Sequence, residues 1–214
     1  EAMTDEELTL ITPQGATALK TATDEGIFLF NADRAADIMR VLAFAEEREL
    51  SAVIHGGSEA WMVAESLAAA NVAVILNPLK NLPENFESLG ARLDNAAILH
   101  KANVRVIFSS GETHNARKVR QLAGNAAANG LPHSAALAAI SSTPAAVFGG
   151  EPRSLSQGAR ADLVIWSGDP LEVTTQAEHV ILSGVPDTMV SRQTLLRDRY
   201  LDEATDMPRA YTKP

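Results

Sequence analysis

The sequence predicts an α/β fold with a parallel sheet, and three observations carry that expectation. Short apolar runs alternate with segments whose apolar residues recur at helical spacing, and the strand-then-helix pair recurs four times from Ile27 onward. A helix between consecutive strands implies parallel pairing, since a parallel neighbour can be reached only by a crossover. The strand-like runs also stop at polar or glycine-containing turns, the rim at which α/β sheets place their ligands.

The elements follow in order. Residues 1–25 form a polar N-terminal segment, in which Glu6 to Ile11 reads as a strand or short helix and Thr17 to Ala22 as helix. The run Ile27-Phe28-Leu29-Phe30-Asn31 reads as a strand buried on both faces. Asp33 is placed to cap the next helix, whose stripe is Ile38, Val41, Leu42 and Ala45. Leu50 to His55 is the second strand, and Ser58 is placed to cap a helix that buries Trp61, Ala64, Leu67 and Ala68. Val72 to Leu76 is the third strand. A loop from Asn77 to Gly90, with a helical turn at Glu84 to Ser88, leads to a helix over Arg92 to Ala102. Val104 to Phe108 is the fourth strand. Helices follow at Ala116 to Asn129, Ser134 to Ile140 and Pro144 to Phe148, the last with Pro at its first position.

The pattern changes beyond Gly150. Ala161 to Trp166, Ala177 to Leu182, Asp187 to Val190 and Gln193 to Leu196 read as short strands, with Ser183-Gly184 as a tight turn. Three regions result: 1–25, a βα body over 26–150 and a β unit over 151–214. Four βα units make half of an eight-unit barrel or a small doubly wound sheet, and periodicity does not choose between them.

Composition narrows the function classes. The chain has 214 residues, 46% hydrophobic and 21% charged, enough for one large core or two modest ones. A net charge of −9 makes it a poor partner for nucleic acid or anionic lipid. The absence of cysteine excludes disulfides and thiolate metal sites while leaving the compartment open. No apolar run approaches the ~20 residues that span a bilayer. The acidic start Glu1 to Glu7 is unlike a signal peptide, and position one is not Met, which points to a fragment or processed form.

The strand ends present Asn31, His55, Asn77 and Ser109-Ser110-Gly111-Glu112. His55 has the right place and chemistry for a rim metal ligand, though a lone strand-end histidine more often serves structure. Asn31 is a weak zinc ligand and Gly111 has no side chain to offer. Glu112 and His114 lie just past the fourth strand, where a solvated loop or a helix cap is the simpler reading. His100 suits the end of its helix. No dinucleotide fingerprint, phosphate-binding loop or nucleophile elbow is present.

At these residues the chain resembles the amidohydrolase superfamily of metal-dependent hydrolases, in its imidazolonepropionase-like branch. Phe30 to Ile38 is similar to that family's fifth strand and following helix, Ala52 to Trp61 to its sixth strand, and Val104 to Gly111 to its eighth. The segment from Gly158 to Pro170 is similar to the C-terminal stretch that returns to a small β-sandwich beside the barrel. The resemblance implies the C-terminal half of a (β/α)8 barrel, strands five to eight, plus that β-sandwich extension. It implies His55 as a metal ligand for zinc or another divalent ion, with Asn31, Ser109, Ser110 and Glu112 lining a substrate site. The same comparison puts Asn31 where the family has histidine and Gly111 where it has a metal-binding aspartate, so an incomplete site without its metal is the expectation and no catalytic residue is assigned.

The resemblance further implies hydrolysis of non-peptide C–N bonds in small molecules such as cyclic amides or N-acyl compounds. The expected partners are the N-terminal half of the same fold, on this or another chain, a small-molecule substrate and further copies in an oligomer. Two other readings stand beside it. One is a catalytically degenerate subunit or small-molecule-binding protein. The other is an independent doubly wound domain, against which the Ala161 to Pro170 segment weighs.

Overall fold

A computed structural model describes residues 12–80, 82–151 and 155–201. It separates into two compact units: Glu1–Ala159 with Asp169–Thr175, and Arg160–Gly168 with Gln176–Pro214. The stretch Glu6 to Ile11 lies outside the described residues.

The larger unit runs α1 (Pro13–Glu25), β1 (Ile27–Ala32), α2 (Ala35–Glu47), β2 (Ser51–Gly56), α3 (Ala64–Ala69), β3 (Ala73–Leu76), α4 (Asn95–Lys101) and β4 (Val106–Phe108). Then come α5 (Val119–Ala128), α6 (His133–Ala138) and α7 (Ser142–Val147). Its four strands are all parallel and lie in the order β1-β2-β3-β4. The order follows the sequence, so this sheet contains no reversal of the kind that defines a doubly wound fold.

Alternation along the strands sorts side chains to two faces. Ile54, Val74, Leu76, Val106 and Phe108 pack in one core with Ile38 and Leu42 of α2, Leu67 of α3, Leu99 of α4 and Leu122 of α5. Val53, Ala73, Ile75 and Ile107 form a second, smaller cluster with Val147 of α7. The central strands are therefore buried on both faces, but β1 is not. Leu29 is 53% exposed and Ile27 37%. β1 is an edge strand, and it shares its sheet face with the smaller cluster.

Local chemistry corrects three expectations. α2 and the turn after β2 receive no cap from Asp33 or Ser58, because those side chains bond to each other. Trp61 lies in a 3₁₀ turn over Ala60–Val63 rather than in the helix core, and it is half-buried. Pro144 is the third residue of α7, where a missing N–H costs nothing because the first four helical donors lack intrahelical partners.

The smaller unit holds β5 (Leu163–Trp166), β6 (Ala177–Leu182) and β7 (Val185–Pro186) in an antiparallel sheet of order β5-β6-β7, then α8 (Arg192–Leu201). Ser183 and Gly184 both have positive φ, 51° and 81°, which fits the primed two-residue hairpin turn expected there. Asp187 to Val190 is not strand: Pro186 removes a ladder donor and the pairing ends. Gln193 to Leu196 is helix, not strand. Ser191 and Thr194 exchange backbone-to-hydroxyl hydrogen bonds of 2.8 and 3.2 Å across its first turn, a reciprocal cap.

Candidate functional site

A cleft of about 290 Å³ opens at the C-terminal ends of β1 to β4 in the larger unit. Its location follows from topology, since parallel strands bring all four C-terminal ends to one rim. Asn31, His55, Ser109 and Ser110 line it, as do Asn77 and Lys80 from the loop after β3. Glu112 does not; its carboxylate lies 3.2 Å from His114 Nε2 on the exposed turn beyond.

Asn31 and His55 are paired by strand register. Their side chains meet as well, with His55 Nδ1 2.6 Å from Asn31 Oδ1. An amide oxygen only accepts, so this contact makes Nδ1 the donor. Gly111 follows with φ +72° and nothing near the position a Cβ would take. His100 sits in the last turn of α4. His133 Nε2 bonds to Asp169 Oδ2 at 2.8 Å, a pairing the sequence pattern did not indicate.

The wall of the cleft rests on the turn after β2. Gly56 and Gly57 have φ of +109° and +67°. A Cβ on Gly57 would lie 2.8 Å from Val74 Cγ1, and one on Gly56 would lie 2.8 Å from Asp33 Oδ1. Only glycine meets both demands. Asp33 Oδ1 accepts from Ser58 N at 3.1 Å and from Ser58 Oγ at 2.7 Å. Glu59 reaches further: Oε2 accepts from Ala35 N at 3.0 Å and Oε1 from Gly90 N at 3.2 Å. The α2 N-terminus is thus capped by a carboxylate from another element, where negative charge is favoured.

The end of the β3–α4 loop is clasped to the same turn. Trp61 Nε1 donates to Gly90 O at 2.8 Å, and the Arg92 guanidinium stacks 4.5 Å from the Trp61 ring. Arg92 also pairs with Asp94, and that hydrogen bond holds the Asp94 carboxyl below its ordinary range. Asn95 is 7% exposed; its Nδ2 donates to Gly57 O at 2.9 Å, and its Oδ1 has no hydrogen-bond partner among the described residues. Glu59 and Asn95 escaped the sequence reading because their partners lie 24 to 38 residues away.

A zinc site takes three or four protein ligands of the His, Cys, Asp or Glu type. No such group of three comes together among the described residues. At the rim one imidazole nitrogen, His55 Nε2, is left for a metal, since Nδ1 is engaged by Asn31. The described residues by themselves do not fit a metal centre. Also among the described residues, no helix is long and apolar enough to cross a membrane.

No family model matches the chain. Over 84 residues it is 40% identical to a curated protein named amidohydrolase tasK from Hapsidospora irregularis, a match covering 36% of this chain and 9% of that protein. The crystal structure of an amidohydrolase from Thermotoga maritima matches with a TM-score of 0.75 at 26% identity, over 82% of this chain and 47% of that one. A prolidase solved with N-methylphosphonate-L-proline matches with a TM-score of 0.55 at 19% identity, over 81% of this chain and 47% of that one, a likeness of fold. The chain thus spans about half the length of these solved structures and under a tenth of the curated relative.

Fold and rim together define a parallel α/β protein with its cleft at the strands' C-terminal ends. The sequence and structure likenesses are narrower: over the matched regions the chain is similar to proteins named amidohydrolase.

Proposed function

We propose that this chain is the C-terminal half of an amidohydrolase-type (β/α)8 barrel and contributes half of a site that hydrolyses non-peptide C–N bonds in small molecules. The observation that carries the reading is the sheet itself. Four parallel strands lie in sequence order, β1 is an edge strand with Leu29 exposed, and the cleft opens on one rim. Four further strands between β4 and β1 would close such a sheet into a barrel and cover that face. The half-length match to the Thermotoga maritima amidohydrolase supports the same division. On this reading the small antiparallel unit is part of the β-sandwich that accompanies the barrel.

In the proposed site His55 and Asn31 face the ligand from β2 and β1, with Ser109 and Ser110 beyond β4. A divalent metal would take its remaining ligands from the other half; when bound, it would supply an activated water. The test is hydrolysis of N-acyl amino acids, cyclic amides and ureides by the complete polypeptide, before and after His55→Ala. Turnover that falls at least a hundredfold in the variant supports the proposal. Turnover unchanged by the substitution refutes it.

A second reading has its own observation. Asn31 Oδ1 is taken by His55, and Gly111 offers no donor, which suits a binding subunit that has lost turnover. Ligand binding without hydrolysis, and without stoichiometric metal in the complete protein, selects this reading over the first.

A further inference from the structure

We propose that Asn31 is a positioning residue that locks His55 in its Nδ1–H tautomer, so that the rim presents the Nε2 lone pair to the cleft and, when no metal occupies it, receives the N–H or O–H donor of a ligand rather than its carbonyl oxygen. The two side chains are held in register by neighbouring parallel strands, and both line the cleft. Their contact is short, 2.6 Å between Nδ1 and Oδ1. A neutral imidazole carries one hydrogen, and the nitrogen that lacks it has the lone pair. With Nδ1 donating to Asn31, the lone pair belongs to Nε2. This is the reverse of the Nε2–H form that predominates for histidine in water, so the rim must impose it. A net hydrogen bond of ordinary strength shifts the tautomer ratio by about tenfold.

The ligand chemistry rests on the cleft being the ligand site, as proposed above; the tautomer does not, and it is measured without any ligand. The experiment is nitrogen-15 NMR of the imidazole rings, recorded for each variant at rising pH until the ring shifts stop changing. Protonated and bare ring nitrogens are then resolved for each histidine. His100, His114, His133 and His179 serve as controls for folding in every variant. The wild type is expected to show bare Nε2 at His55. Asn31→Asp keeps an acceptor and is expected to keep that pattern. Asn31→Leu removes the acceptor and is expected to shift the ratio about tenfold toward Nε2–H.

An Nε2–H pattern at His55 in the wild type would mean that Asn31 presents its amide nitrogen instead, and the proposal falls. It also falls if Asn31→Leu folds and leaves the ratio unchanged. Should that variant fail to fold, the wild-type and Asn31→Asp spectra still decide. An Nδ1–H result combined with no ligand at the cleft would sustain the tautomer lock and remove the proposed function.

Discussion

Glu59→Ala is the substitution whose cost the structure defines most closely. The carboxylate holds two backbone donors from distant segments, Ala35 N at 3.0 Å and Gly90 N at 3.2 Å. Hydrogen bonds to a charged acceptor contribute about 1.5–3 kcal/mol each, and a half-buried group belongs at the low end, so the pair is worth about 3 kcal/mol. Glutamine retains one carbonyl oxygen, and its amide nitrogen cannot accept, so Glu59→Gln is expected to lose about half of that. The assay is urea unfolding at constant m-value with the other half supplied, read together with hydrogen exchange at Gly90 and Ala35. Exchange at both amides should speed up in the alanine variant, and only one should be strongly affected in the glutamine variant. A loss below about 0.5 kcal/mol for Glu59→Ala, or equal losses for the two variants, would refute the clasp as a stabilising device.

Other expectations follow from single residues. Gly57→Ala combines a left-handed backbone with a Cβ 2.8 Å from Val74 Cγ1; it should destabilise by about 2–5 kcal/mol in denaturant titration, the sum of the backbone penalty and overpacking. Leu99→Ala, at a fully buried position of the main core, should cost about 2–5 kcal/mol. The Asp169 carboxyl is held below its ordinary value of 3.8, first by the Leu171 N–H and then by His133. A depressed folded value means that its contribution is present above 3.8 and is lost as pH falls through the folded value, so Asp169→Asn should flatten stability against pH only on that acidic side. Unchanged acid-side curvature in the variant would contradict this.

The sheet was legible because the strands are continuous apolar runs and the helices carry stripes, and both signals come from burial. The strand ends were legible for the same reason: Asn31, His55, Ser109 and Ser110 lie at the cleft, while Glu112 lies on the turn beyond it. Caps were misjudged where local spacing competes with tertiary partners. Asp33 precedes a helix and looks like a cap, yet it serves Ser58, while Glu59 from the next turn reaches the α2 N-terminus. Gln193 to Leu196 reads as a short strand, but the Ser191–Thr194 exchange commits it to a helix. Leu29 read as buried because its run is apolar; its exposure appears only once β1 is seen to lie at an edge.

That exposed face leads to the central claim, that this sheet is half of a barrel. The most direct measurement is sedimentation velocity of the isolated chain of 22.8 kDa, paired with its thermal melt. Half a barrel leaves two open sheet edges and an apolar face, so the chain alone is expected to self-associate or to melt without a sharp transition, and to become compact and cooperative when the other half is supplied. A monodisperse 22.8 kDa monomer with one sharp cooperative melt would contradict the claim.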